Sequence, residues 1–225
     1  MNVIRPFGPT IAKVSMSENL VKELNDYVDK TLLDKKKIEE LNYGKMLAGN
    51  VQQEFLLDKE FTVLSGWELF LKENTEEWIF ASTQKKIKEF RIVDTWIVRQ
   101  FENEYNPLHS HGGHISGVGY LKLPEDFGKT VQSDKKNNSN GKLQLVHGSK
   151  NFLSPITFNI KPKVGDFYFF PHYLMHLVYP FKNKNAERRS ISFNAYIDDS
   201  IYNSHEKKYE CFSKKFRQWY KKHKN

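Results

Sequence analysis

The sequence has one cysteine and no long hydrophobic run, and each of these features excludes a class of protein. Cys211 has no partner for an internal disulfide, so the chain is not a disulfide scaffold, and we expect it to work in the reducing cytoplasm. No apolar run approaches the roughly 18 residues of a membrane-spanning helix. The first residues lack the charged-then-apolar order of a signal peptide. We therefore expect no membrane partner.

The positive charge is concentrated near the C-terminus. The net charge is +8, and residues 205–225 alone hold eight lysines or arginines against two glutamates. Such a segment can attract nucleic acid. Its aromatic residues, however, recur every three to four positions opposite the lysines, which predicts an amphipathic helix that packs on the rest of the protein. We favour packing over nucleic-acid contact. The aromatic residues are Tyr209, Phe212, Phe216, Trp219 and Tyr220.

The order of the patterns predicts a single α+β domain that spans residues 1–225. Residues 1–90 are predicted to be mainly helical support, and residues 91–200 a jelly-roll core built from short strands. Residues 201–225 are predicted to form the basic amphipathic C-terminal helix. The length suits one domain with a sizeable hydrophobic core.

Helical periodicity marks the first part of the chain. A short strand at 11–14 is followed by Ser15 and Glu18 at capping-box spacing, which predicts a helix start. Residues 34–50 are charged and then interrupted by glycine, which predicts a loop. A second helical block is predicted over 64–81.

From residue 91 onward, β-branched and aromatic residues predict strands. Residues 132–141 contain no apolar side chain, so the segment 129–142 is predicted to be a mobile loop placed to act as a lid. The predicted strands cover residues 92–100, 115–123, 143–146, 156–160, 166–170, 177–179 and 188–197.

Two histidines, His109 and His111, are separated by one residue at the start of a predicted strand. Asn106-Pro107 before them and Gly112-Gly113 after them supply the bend that two imidazoles need to reach one ion. The alternative is a pair of exposed loop histidines. His114 lies three residues further on and leaves open which rings bind.

A third histidine, His176, follows a turn and an apolar strand that carry it toward the interior. A buried imidazole needs a polar partner, which a metal ion or a backbone carbonyl can supply. His172 competes for the same role, although it follows Pro171 at the strand end and is expected to be solvated. Three neutral nitrogen ligands are sufficient for a metal site.

The segment that begins at Arg188 alternates polar and apolar residues. Arg188 and Ser190 share one face with two further polar residues, while Ile191 and Phe193 point the other way. A polar inner face is costly unless an anion is bound there, and a guanidinium binds a carboxylate with two parallel hydrogen bonds. The alternative is an edge strand with a solvated face.

Taken in order, these motifs resemble the 2-oxoglutarate- and Fe(II)-dependent oxygenases, and most closely the putative oxygenases near the prolyl 4-hydroxylase-like branch. The ordered set is His-x-His, Ser-Gly-Val-x-Tyr-Leu, Gly-Asp-x-x-x-Phe-Pro, a distal histidine and Glu-Arg-x-Ser-x-Ser-Phe-Asn. It covers about residues 92 to 197. Each piece alone is weak, but the order is fairly specific.

The resemblance implies a double-stranded β-helix (jelly roll) with N-terminal helices on its major sheet and a C-terminal helix. It implies Fe(II) as the metal, 2-oxoglutarate and O2 as co-substrates, and ascorbate as an optional reductant. Oxidative decarboxylation of 2-oxoglutarate would be coupled to oxidation, typically hydroxylation, of a substrate. By the same resemblance, His109, His111 and His176 would hold iron, and Arg188 and Ser190, with Tyr120, would bind the far carboxylate of 2-oxoglutarate.

One residue departs from the family pattern. The usual triad is two histidines and a carboxylate, but His111 occupies the middle position. Glu104 and Asp166 are the carboxylates whose motif positions allow them to substitute. A three-histidine cupin-like dioxygenase or zinc site, and a non-catalytic jelly-roll module with incidental histidines, are the alternative interpretations. A peptide, a nucleobase and a small metabolite all remain open as substrates.

Overall fold

The computed structural model describes residues 2–4, 8–130 and 136–204, with the backbone alone for 2–4. The predicted C-terminal helix beyond residue 204 and the middle of the predicted polar loop, residues 131–135, lie outside the described residues. Among the described residues, no helix is long and apolar enough to cross a membrane.

The first third of the chain is largely helical, as predicted, but its first helix begins after a different residue. Its N-cap is Ser17, whose hydroxyl accepts a hydrogen bond from the Leu20 N–H at 3.2 Å. Ser15 belongs instead to a strand, where it pairs with Asp166, so the predicted capping box was wrong. The helices are α1 (Glu18–Thr31), α2 (Lys35–Leu41), α3 (Lys59–Leu64), α4 (Trp67–Thr83) and α5 (Asp199–Tyr202), with a 3-10 turn at Gly44–Met46.

One other prediction in this part of the chain was wrong, and one was confirmed. The predicted loop over 34–50 contains α2, which begins where the Asp34 carboxylate accepts from the Lys37 N–H at 3.1 Å. Helix α2 buries no residue, so the sequence carries no apolar stripe to reveal it. The predicted helix over 64–81 corresponds to α4, which begins directly after Gly66, whose φ of 75° is left-handed.

The strands form two antiparallel sheets that face each other, which is the predicted α+β jelly roll. The major sheet has the order β1-β2-β9-β6-β11-β4-β3, and the minor sheet β5-β10-β7-β8. The strands are β1 (Asn2–Ile4), β2 (Ile11–Ser15), β3 (Gln53–Leu56), β4 (Phe90–Gln100), β5 (Asn106–His109), β6 (Ile115–Lys122), β7 (Leu143–Val146), β8 (Thr157–Ile160), β9 (Asp166–Pro171), β10 (Met175–Val178) and β11 (Arg188–Ile197).

The major sheet separates two hydrophobic layers. Ile191 and Phe193 of β11 pack with buried residues of α1 and α4, including Leu24 and Trp67. On the other face, residues of the major sheet pack against the minor sheet, as Val118 does. Strand β11 therefore has one face toward the helices and one toward the space between the sheets, as its alternation predicted.

Helix α1 is fixed to the major sheet by a buried charge. The Arg189 guanidinium donates to Asp29 at 2.7 Å and to the Asn25 side chain at 2.9 Å, both on α1. It also donates to Glu187 at 2.8 Å. Arg189 thus stabilises the packing of a helix on the outer face of β11, and the N-terminal helices lie on the major sheet as predicted.

Candidate metal centre

His109, His111 and His176 meet where the minor sheet faces the major one. His109 ends β5 and lies directly opposite His176 on the antiparallel neighbour β10. The chain bends after β5 and brings the His111 ring against the other two, with ring centroids 5.0 Å from His109 and 4.8 Å from His176. One nitrogen from each ring lies within 4.8 Å of the others. The structure therefore brings together all three histidines selected from the sequence.

Two backbone carbonyls orient these rings. The Nδ1 atom of His109 lies 2.6 Å from the Pro107 carbonyl oxygen, and the Nδ1 atom of His176 lies 2.8 Å from that of Leu174. A carbonyl only accepts, so each Nδ1 carries the proton, and each neutral ring keeps the lone pair on Nε2. This is the arrangement by which proteins fix a histidine that binds metal.

The spacing of the nitrogens fits an ion. The Nε2 atoms of His111 and His176 are 3.0 Å apart. Two nitrogens bound to one metal at about 2.1 Å are separated by about 3 Å when the angle at the metal is near 90°. Among the described residues, this is the one group of three or more histidine, cysteine or acidic side chains that is close enough to hold a metal.

The rings are held in the neutral form that a metal requires. Burial, reinforced by the neighbouring histidines, lowers the pKa of His111 to about 2. Burial and the proximity of His109 lower the pKa of His176 to about 4. Burial also lowers the pKa of His109. Neutral imidazoles offer lone pairs to a cation without losing a proton first.

A buried cation lies in the same cavity as the histidines. Arg188 is 1% exposed, and its side chain donates to the Gly141 carbonyl and to the Ser190 hydroxyl, both at 3.2 Å. Its Nη2 atom has no hydrogen-bond partner, and no described carboxylate forms an ion pair with it. A buried charge without a partner of opposite charge is costly. This end of the cavity is therefore suited to an anion.

Tyr120 lies next to Arg188 on the neighbouring strand, although it does not itself line the cavity. It lies opposite Ser190 in the pairing of β6 with β11, and the Arg188 guanidinium stands over its ring at 5.1 Å. The Tyr120 side chain is fully buried and its hydroxyl has no hydrogen-bond partner. Burial raises the pKa of Tyr120 to about 12, so the phenol remains a proton donor.

The cavity that joins the two groups has aromatic and aliphatic walls. Trp96 stands 5.5 Å from the His111 ring and Phe170 stands 5.1 Å from the His176 ring. The sequence analysis did not identify the minor-sheet residues in these walls. Their position depends on strand pairing, which the order of the motifs does not reveal. The minor-sheet residues in the wall other than the histidines are Asn106, Leu143 and Val178.

Neither competing histidine joins the cluster. The Nδ1 atom of His114 lies 3.1 Å from the Ile197 carbonyl oxygen and 3.2 Å from the Ile197 nitrogen. The ring of His172 makes hydrogen bonds to the His111 carbonyl at 3.0 Å and to the Tyr202 hydroxyl at 2.7 Å. His172 is therefore part of a hydrogen-bond network, and its side chain is only partly buried.

The two carboxylates considered as replacements for the missing acidic ligand are also elsewhere. Glu104 accepts from the Phe101 N–H at 2.8 Å and the Gln52 N–H at 3.2 Å, which closes a turn. Asp166 forms an ion pair with Lys13 at 2.7 Å. Neither belongs to the cluster, so neither occupies the position of the missing acidic ligand.

One protein-family model matches the middle of this chain. Residues 94–194 match the model of a family described as putative 2OG-Fe(II) oxygenase. No curated protein matches the sequence.

Solved structures share the fold at low sequence identity. A prolyl-4-hydroxylase from Pseudomonas putida is 13% identical with a TM-score of 0.56, over 82% of this chain and 91% of that one. A collagen prolyl hydroxylase of Paramecium Bursaria Chlorella virus-1, in complex with 2OG, is 18% identical with a TM-score of 0.52, over 82% and 94%. A prolyl hydroxylase from Trichoplax adhaerens is 10% identical with a TM-score of 0.54, over 86% of each chain.

Proposed function

We propose that this chain is a 2-oxoglutarate- and Fe(II)-dependent oxygenase, that its three clustered histidines hold the iron and that Arg188 anchors 2-oxoglutarate. One observation carries the proposal: a neutral three-nitrogen cluster and an unpaired buried guanidinium line the same cavity. The iron would supply the chemistry in which O2 is reduced, 2-oxoglutarate is decarboxylated to succinate and a substrate bond is oxidised. The protein is thus an oxidoreductase.

The residues of the chain would bind the metal and the co-substrate, orient them and exclude water. The carbonyls of Pro107 and Leu174 hold two imidazoles with their lone pairs toward the metal. Arg188 offers a free N–H group to an anion, and Tyr120 offers its hydroxyl beside it. A dicarboxylate could bind the metal with one end and the guanidinium with the other. Trp96 and Phe170 keep bulk water from the reacting atoms.

Three neutral ligands distinguish this centre from the usual set of two histidines and one carboxylate. The ligands contribute no negative charge, so a divalent ion keeps its full positive charge until the co-substrate binds. We expect the dicarboxylate to bind more tightly to the metal-loaded protein than to the metal-free protein. A zinc or cupin-like site would need neither Arg188 nor Tyr120, so the unpaired buried groups favour the oxygenase.

The test is turnover of 2-oxoglutarate by the purified, metal-depleted protein. Succinate should form when Fe(II) and O2 are supplied and should not form with Mn(II), which occupies the same site without the redox chemistry. His176→Ala should abolish it. Succinate formation that is independent of iron, or equal in the His109/His111/His176 triple alanine variant, would contradict the assignment.

We also propose that the protein works in the cytoplasm. A chain with one cysteine gains nothing from an oxidising compartment. Cell fractionation with an antibody to the full chain tests this, and recovery in a membrane or secreted fraction would contradict it.

A further inference from the structure

Tyr202, in α5, contacts two histidines that stand beside the metal centre without belonging to it. Its hydroxyl lies 2.7 Å from the Nε2 atom of His172. Its ring is stacked on the ring of His114, with centroids 3.8 Å apart and planes inclined by 9°. Neither sequence periodicity nor the motif order indicated this residue.

His172 makes two hydrogen bonds to the backbone of His111. The His111 N–H donates to the His172 carbonyl at 3.0 Å, and the Nδ1 atom of His172 makes a hydrogen bond to the His111 carbonyl at 3.0 Å. Because a carbonyl only accepts, Nδ1 carries the proton, and the Nε2 atom of the neutral ring accepts from the phenol of Tyr202. Hydrogen bonds therefore run from Tyr202 through His172 to His111.

His114 supports the same arrangement from the other side. Its carbonyl accepts from the His172 N–H at 3.3 Å, and its own N–H donates to the Ala195 carbonyl at 2.9 Å. Its Nδ1 atom contacts the backbone of Ile197, 3.1 Å from the carbonyl oxygen and 3.2 Å from the nitrogen. His114 is thereby fixed to β11, and its ring provides a rigid face against which Tyr202 is stacked.

This support matters because His111 lies outside the strands. Strand β5 ends at His109, so its pairing with β10 holds two of the three clustered histidines and not the third. The backbone of His111 depends on His172 instead. A metal site loses affinity when a ligand is free to move away from the bound position.

We infer that Tyr202 is a positioning residue for the middle metal ligand: its hydroxyl orients His172, which holds the backbone of His111. The inference rests on the proposed function, since it takes His111 to be a ligand. Tyr202 itself is about 39% exposed and touches none of the reacting groups. It acts through His172.

Co(II) is the probe, because its absorption spectrum reports the geometry of its ligands. Tyr202→Phe keeps the stacking on His114 and removes the hydroxyl. Tyr173→Phe is the matched control, because Tyr173 meets the same His172 ring edge-on at 5.7 Å and is also half-exposed. We expect Tyr202→Phe to weaken Co(II) binding about 3- to 10-fold and His172→Ala about 10- to 100-fold. Both should alter the cobalt spectrum, and Tyr173→Phe should do neither.

Two results would overturn the inference while leaving the proposed function standing. One is wild-type cobalt affinity and spectrum in both Tyr202→Phe and His172→Ala. The other is weaker binding that Tyr173→Phe shares and that follows a lower melting temperature of the metal-free protein, which would indicate general destabilisation. Cobalt binding that is equal in the wild type and the triple alanine variant would overturn both the proposed function and the inference.

Discussion

His109 and His176 lie directly opposite each other on neighbouring antiparallel strands, with ring centroids 4.3 Å apart. They are far apart in the sequence, but the pairing of β5 with β10 places both rings on one side of the minor sheet. Their shared position is a property of strand register. A shift of one residue in that register would turn one ring to the opposite face.

The first prediction concerns metal affinity. His176→Ala removes a buried ligand that the Leu174 carbonyl holds in the correct tautomer, so we expect affinity for Mn(II) to fall at least about tenfold. Isothermal titration calorimetry on the metal-depleted protein measures this. His205→Ala is the control and should bind as the wild type does. Unchanged binding in the triple alanine variant would rule out the site.

The second prediction concerns the co-substrate. Arg188→Ala removes the buried cation, and we expect 2-oxoglutarate binding to weaken by about 2–5 kcal/mol. Arg188→Lys should recover only part of the loss, because an ammonium lacks the guanidinium fork. The measurement is 2-oxoglutarate affinity with Mn(II) bound.

Arg189→Lys serves as the matched control for Arg188. Its guanidinium contacts Asp29 and Glu187 on the helix side of β11, so this change should lower stability and leave 2-oxoglutarate affinity unchanged. A larger loss of affinity in the Arg189 variant than in the Arg188 variant would show that the assignment of the two faces is wrong.

The sequence predicted those features that depend on the pattern of neighbouring residues, and it missed those that depend on contacts between distant residues. The alternation that begins at Arg188 has the period of a strand, and it correctly assigned the cavity face and the helix face. Strand β5 was missed because Pro107 marks a turn in most contexts, and here it lies in an edge strand, where a missing N–H is tolerated. The exclusion of His114 and His172 from the cluster depends on pairing with distant residues, which no local pattern records.

The third prediction concerns acid stability. Burial alone would raise the pKa of Glu187, but hydrogen bonds from Arg99 and Arg189 outweigh it and lower the pKa to about 2. A carboxyl group whose pKa falls on folding stabilises the protein above its unfolded pKa, and that stability is lost as the pH falls toward the folded pKa.

Glu187→Gln tests whether this stabilisation is lost as the pH falls. The variant should melt several degrees below the wild type at pH 7, because Arg99 and Arg189 lose their shared anion. The difference should narrow as the pH falls from about 4.5 to about 2. Thermal melts followed by circular dichroism measure both. A difference that is constant over this pH range would show that the ion pairs do not account for the pKa.

The last prediction concerns the basic segment beyond residue 204, which lies outside the described residues. Burying five large aromatic side chains contributes several kcal/mol, at roughly 25 cal/mol per Å² of apolar surface, whereas a free segment would expose them and favour aggregation. Truncation after Asn203 retains Tyr202 and the metal centre. It should lower the melting temperature by several degrees and leave Mn(II) affinity unchanged. A truncated protein that melts like the full chain but loses salt-sensitive binding to nucleic acid would instead identify the segment as a binding arm.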